Sequence, residues 1–177
     1  MSLIYNTKIL VVAAHADDEV LGCGGTLARA VEQGSEVKVI FMTDGVGARN
    51  ADNMDKKIEM RKHAAVMACQ ILGVHDIEFF DFPDNSMDRI TRLKVVQVIE
   101  KVIGSFKPSV VLTHHGGDVN IDHRRVHDAV IIACRPQPKH PVSTLLFFEV
   151  ASSTEYQASN AVTQFHPNHF HFPKVND

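Results

Sequence analysis

Several things are scarce in this chain, and each scarcity removes a class of protein. Positive charge is not in excess: 18 Lys and Arg against 21 Asp and Glu leave a net charge of −3 with histidine neutral, so the basic footprint of a nucleic-acid binder is missing. No apolar run approaches the ~20 residues that a membrane helix needs. The first residues lack a basic stretch followed by a long apolar one, so no signal peptide is read. Cysteine is sparse, with Cys23, Cys69 and Cys134 far apart, odd in number and without a C-x-x-C pair. That speaks against a disulfide framework and for a reducing compartment. Repeats, low-complexity tracts and linkers are also missing. The expectation is a cytoplasmic protein, and 177 residues, 45% hydrophobic and 22% charged, suit one domain with a sizeable core. What is plentiful is histidine, eleven in all and concentrated in the second half.

The apolar run 9–14 reads as a buried strand. It leads through Ala14-His15-Ala16-Asp17-Asp18-Glu19 into a segment whose apolar period (Val20, Leu21, Leu27, Ala28, Val31) predicts a helix. A second strand is expected over 36–42, a helix over about 52–72 with Ile58, Ala65, Ala68 and Leu72 inward, and a short strand over 77–80. Next come a helix over about 88–106 with Ile90, Leu93, Val96 and Ile99 inward, a strand over 109–113, a helix over about 123–134 and a strand over 145–150. Strands alternating with helices predict an α/β fold with a mostly parallel sheet covered on both faces. The polar loops 15–19, 43–49 and 114–123 all follow strands and share one rim, where open α/β sheets place ligands. Residues 169–172 could alternate as an edge strand; a second metal site and a disordered end are the other readings of the histidine-rich tail.

A histidine and three consecutive acids at the end of a core strand need a reason. Adjacent carboxylates repel, and a cation relieves that cost, since histidine and carboxylate both ligate zinc-like metals. Helix capping is the competing reading, and it accounts for one acid rather than three. The second chemical stretch runs from Gly116 to Arg125, where glycines permit a tight bend and His123 opens a helix on the same rim. Two histidines, one carboxylate and a water complete a four-coordinate catalytic site. Asp122 is placed to fix the tautomer of a ligating histidine. His123 and His127 share the spacing of H-E-x-x-H, but Arg124 stands where that motif needs its glutamate, so the motif is rejected.

Taken together, A-H-A-D-D-E after the first strand, T-D-G after the second and D-x-N-x-D-H-R late in the chain resemble the LmbE-like (PIG-L) deacetylase family. The resemblance spans roughly residues 7 to 155 and includes Glu149-Val150-Ala151-Ser152-Ser153-Thr154. It implies a three-layer α/β/α sandwich around a Rossmann-like sheet, often assembled into homo-oligomeric trimers or hexamers. It implies a zinc-dependent hydrolase that removes an acyl group, usually acetyl, from the nitrogen of a small-molecule amino sugar or its conjugate. The metal ligands would be His15, Asp18 and His123, and the general base Asp17, with Asp122 matching the acid before the last ligand. Two positions depart from the family pattern: Ala16 replaces a proline, and Asn120 replaces a histidine that helps to polarise the acyl oxygen. Asn120 can donate one hydrogen bond there without charge; His114 and His115 are the alternatives. Arg49, Arg61, Asp84 and Asn85 are candidates for sugar recognition, with Arg49 and Asp84 preferred and His114 a further pocket residue. Arg61 reads equally as a helix-surface charge. The chain is expected to form a single domain of this family over 1–177, short or diverged in about 156–177. The two-histidine, one-carboxylate set also accepts iron, cobalt or nickel.

Two other classes compete. A dinucleotide-binding oxidoreductase would use Gly22-Cys23-Gly24-Gly25, but the G-x-G-x-x-G spacing fails and three acids would repel a pyrophosphate. A non-catalytic metal- or sugar-binding protein of the same fold is the stronger rival, and turnover of an N-acetylated amino sugar separates the two.

Overall fold

The computed structural model describes residues 4–46, 53–138, 140–156 and 164–169. Strands and helices alternate as β1 (Lys8–Ala13), α1 (Asp18–Glu32), β2 (Glu36–Thr43), α2 (Met54–Ile71), β3 (Asp76–Phe82), α3 (Arg92–Phe106), β4 (Val110–His114), α4 (Ile121–Ala133) and β5 (Thr144–Phe148). The strands form one sheet in the order β3-β2-β1-β4-β5, with every pairing parallel. The chain begins at the centre, winds outward to β3, then returns to start again at β4. The winding reverses between β1 and β4, whose carboxyl ends bound the crevice where such sheets bind ligands.

After Lys8, β1 is apolar at every position because both of its faces are covered. Alternate side chains leave on opposite faces. Ile9, Val11 and Ala13 pack with Leu27 and Ala30 of α1, Cys69 of α2, and Phe41 and Leu112. Leu10 and Val12 pack on the other side with Ile40, Met42, Val96 and Ile99 of α3, and Val126 and Val130 of α4. Two helices on each face make the expected α/β/α sandwich.

Several local expectations are corrected. Helix α1 buries Cys23, Gly24, Leu27 and Ala30 and leaves Val20 and Leu21 exposed. Gly22 is the physical reason, because the Phe148 ring occupies the place where a Cβ would stand and draws that face of the helix onto β5. The helix expected from 88 breaks into a 3-10 turn (Met87–Arg89), an extended Ile90 and α3 proper. Leu93 is exposed, while Met87 is fully buried under α4. Helix α2 buries only Ala65 and Cys69, as its polar sequence allows. Among the described residues, no helix is long and apolar enough to cross a membrane. His166 and His169 lie in a segment without regular structure; the expected strand over 169–172 falls, beyond His169, outside the described residues.

Candidate metal centre and its cavity

The turn from β1 into α1 is tight, with the His15 carbonyl accepting the N–H groups of Asp17 and Asp18. Asp17 makes no side-chain capping bond to the helix, although Asp18 and Glu19 lie in its first turn, where the macrodipole favours acids. Asp18 instead folds back, its Oδ2 accepting the His15 N–H at 2.8 Å. Across the crevice, the loop after β4 is built by its own polar residues. Asp118 accepts the Asn120 N–H at 2.7 Å, and Asn120 Oδ1 caps α4 by accepting the Asp122 N–H at 2.8 Å. That cap sets His123 in the first turn of α4, facing His15.

Donor atoms of three residues converge. His15 Nδ1 lies 3.1 Å from His123 Nε2 and 3.3 Å from Asp18 Oδ2, and His123 Nε2 lies 3.3 Å from Asp18 Oδ1. Four-coordinate zinc with bonds of ~2.0–2.1 Å places neighbouring donors ~3.3–3.4 Å apart. The triangle of residues His15, Asp18 and His123 therefore suits such an ion, with Asp18 offering either oxygen.

The far nitrogen of each ring faces a carboxylate. His15 Nε2 lies 3.2 Å from Asp122 Oδ2 and 3.2 Å from Asp84 Oδ1. His123 Nδ1 lies 3.1 Å from Asp118 Oδ2, which also accepts from Ser153 Oγ at 2.9 Å and Thr154 Oγ1 at 2.6 Å. Carboxylates draw the ring N–H groups outward, so both remaining lone pairs point at the shared centre. Asp84 and Asp122 with His15 form a second cluster of metal-ligand type. Asp122 is already committed there, because it also accepts the backbone N–H groups of Asn85 and Met87. It acts as a clamp on the His15 ring.

Electrostatics agree with a cation at the centre. Burial lowers the His15 pKa, yet Asp122, Asp18 and Asp84 outweigh it and raise it to about 11. Burial likewise opposes His123, which Asp118 and Asp18 raise to about 8. Burial pushes Asp18 upward, while His114, His123 and His15 hold it well below the usual carboxylate range. This cluster of acids favours positive charge on its two histidines, whose facing nitrogens are 3.1 Å apart.

The triangle opens into a cavity of about 530 Å³, lined also by Asp17, Gly45, Val46, Lys57, Arg61, Asp84, Asn120, Ser152 and Ser153. Asp17 is half-exposed there and pairs with Arg61 Nη2 at 3.1 Å, while Arg61 Nη1 donates to the Gly45 carbonyl at 2.8 Å. Of the two readings that the sequence leaves for Arg61, a recognition residue and a helix-surface charge, its position on the cavity wall agrees with the first.

Other expectations change. His114 does not line the cavity. It is fully buried, accepts the Ala14 N–H on Nε2 at 2.8 Å and stacks on His123 with ring centroids 3.9 Å apart. Burial drives its pKa down to about 3, so it backs the His123 ring as a neutral side chain. Glu19 points into the core beside Cys69 rather than to the rim. Asp122 is fully buried, which places it behind the His15 ring and away from the cavity. Arg49 lies outside the described residues. Sequence reasoning passed over Asp118, Ser153 and Thr154. Asp118 stands inside the D-x-N-x-D-H motif, and its acidity was the available signal.

A doubly wound parallel sheet carrying a His–Asp–His cluster at its switch point defines the class: an α/β protein with a candidate metal centre. The chain belongs to the PIG-L family, described as GlcNAc-PI de-N-acetylase, which its residues 10–134 match. It is 32% identical over 136 residues to the deacetylase YaiS of Escherichia coli, itself uncharacterised, covering 74% of this chain and 70% of that one. It is 31% identical to a probable N-acetyl-α-D-glucosaminyl L-malate deacetylase of Bacillus cereus, covering 74% of this chain and 62% of that one. A further relative, 34% identical over 64% of this chain and 46% of its own length, is a 4-oxalmesaconate hydratase of Pseudomonas putida. The fold matches the N,N'-diacetylchitobiose deacetylase of Pyrococcus horikoshii with a TM-score of 0.71 at 22% identity, over 80% of this chain and 60% of that one. The matched stretch thus spans well short of the full length of these relatives.

Proposed function

We propose that the chain is a metal-dependent N-deacetylase that hydrolyses the amide of an N-acetylated amino sugar or its conjugate. The observation that carries this reading is the pair of imidazoles, each held from behind by carboxylate, whose free lone pairs meet Asp18 beside the cavity carboxylate Asp17. Zinc held by His15, Asp18 and His123 would acidify a water and polarise the acyl oxygen there, and iron, cobalt or nickel suit the same donors. Asp17 takes the proton of the attacking water and returns it to the leaving nitrogen. An amide needs that return, since an amide anion is a poor leaving group. Asn120 spends its Oδ1 on the α4 cap, which leaves Nδ2 to donate to the oxygen that gains charge. Asp84 lines the cavity beside His15, whose Nε2 it faces at 3.2 Å, and from there it would meet a substrate hydroxyl.

The hydratase relative supports a second reading, in which the same water-activating groups add water to a substrate instead of releasing an acyl group. Acetate release decides between them. The zinc-loaded protein should liberate acetate from at least one member of a panel of N-acetylated amino sugars, free and conjugated. Asp17→Asn should keep its metal and lose ~10²–10⁴ in rate. Retained activity in that variant would remove Asp17 as the base. Silence across the panel with metal bound would turn the assignment toward a hydratase or a binding protein.

A further inference from the structure

Helix α2 carries two apolar faces, and its own chain uses one of them. Ala65 and Cys69 are buried in the core beneath the helix. On the other side Met60, Ala64, Met67 and Ile71 are exposed, the three large side chains by 64%, 47% and 83%. Single exposed apolar residues are ordinary. These four recur at steps of four, three and four, the heptad spacing that aligns side chains along one seam of a helix. A surface helix needs one apolar stripe to join its own core. The second stripe leaves on the order of 400 Å² of apolar surface bare, the size at which a patch marks an interaction site.

The charges of α2 say what fits that stripe. Asp55, Lys56, Lys57, Glu59, Arg61 and Lys62 all fall in its first half, while 63–71 holds no Asp, Glu, Lys or Arg. Two copies packed parallel would lay net-positive halves side by side, where like charges repel. Packed antiparallel, each charged half lies along the uncharged half of the other copy, and its cations approach the negative end of that helix's macrodipole. The stripe also matches itself in this direction. Met60 falls opposite Ile71 of the partner subunit, and Ala64 opposite Met67 of the partner subunit. Helices crossing at ~20° interlock in this way, with facing residues filling the gaps between turns. Doubling the stripe and adding the exposed flanks of Lys56, His63 and Gln70 brings the burial to ~1,000 Å², the area that a specific interface needs.

We propose that the outer face of α2 is a two-fold interface on which a second copy of this chain docks, α2 against α2 and antiparallel. The proposal does not depend on the deacetylase reading. It gives α2, which buries only two residues in its own chain, a second packed face, and it steadies the helix that carries Arg61 on the cavity wall.

Light scattering of the full chain at micromolar concentration should give a dimer or an even multiple of it. Met67→Glu, a change at an exposed position, should halve that mass and leave the circular dichroism spectrum unchanged. Cysteine pairing reads the register without a disruptive substitution, since Cys23, Cys69 and Cys134 are all buried. Met60→Cys mixed with Ile71→Cys and treated with diamide should give a disulfide-linked dimer. Either variant alone should not, because its like residues would stand ~16 Å apart along the helix axes, beyond the ~7 Å that a disulfide spans. A monomeric native chain overturns the proposal, as does an oligomer whose mass Met67→Glu leaves unchanged. Should Met67→Glu not fold, the cysteine pair decides. Crosslinking of either variant with itself, or none in the mixture, overturns the antiparallel α2 interface.

Discussion

Each histidine of the candidate metal centre has a carboxylate against its far nitrogen, so the carboxylates test the proposed centre as directly as the proposed ligands do. Asp118 is fully buried and saturated by His123, Ser153, Thr154 and the Asn120 N–H. Burial pushes its pKa up, but His123 and Thr154 bring it down to about 2. Asp118→Asn should lower zinc affinity ~10–100-fold, read by competition with a chromophoric chelator. An unchanged affinity in a folded variant would show that the contact does not aim His123. Glu19 poses a different question, since burial, with Asp18 and Asp17 nearby, raises its pKa to about 7. The folded chain then keeps a proton that the unfolded chain releases near pH 4.5. Stability conferred by this group is lost as pH rises between those values, by up to ~3 kcal/mol. In the metal-free protein, Glu19→Gln should match the native Tm near pH 5 and exceed it above pH 7. Equal Tm curves across that range would contradict the burial argument. Residue types alone announced acids and histidines at these positions. They did not tell Asp17 and Asp18, which face the cavity, from Glu19, which enters the core one helical step later.

At the scale of elements, helix α1 reaches the candidate metal centre through packing. Gly22 abuts the Phe148 ring, Phe148 meets His114 edge-on at 4.8 Å, and His114 stacks on His123. A methyl group at position 22 cannot enter without moving that column. Gly22→Ala should cost ~1–3 kcal/mol of stability and weaken metal binding as well, measured by denaturation and zinc titration. Full stability would mean that the Phe148 ring moves aside freely. The glycine was visible in the sequence, but its purpose was not, because Phe148 comes from the opposite end of the chain. The break before α3 was hidden for a related reason. Residues 87–91 carry a helical apolar pattern, and the Asp122 carboxylate captures the Asn85 and Met87 N–H groups, favouring a turn there.

On the scale of the whole molecule, the reversal of winding between β1 and β4 joins residues 108 positions apart, His15 and His123. Metal and protons compete for the lone pairs they share. In the metal-free protein, the raised His15 and His123 pKa values give stability below their ordinary pKa of 6.5. That stability is lost as pH climbs through about 8 for His123 and about 11 for His15. Bound zinc has the opposite trend, since deprotonation frees the ligands. The rise in Tm on adding zinc should therefore grow from pH 6 to pH 8.5, and a chelator should abolish it. A zinc-induced shift that is flat or shrinking over that range would argue against these two histidines as ligands.

Alternating apolar runs by themselves determined the parallel α/β sheet and its covered faces, because strand and helix periodicity are local properties of the chain. Local chemistry also marked the two polar stretches and the family motif. Only the tertiary structure decided which acids face the cavity, that Asp118 rather than a neighbouring residue holds His123, that His114 is buried, and that Arg61 and Lys57 line the wall. These are contacts between elements brought together by the crossover at the switch point, and no spacing within one segment encodes them.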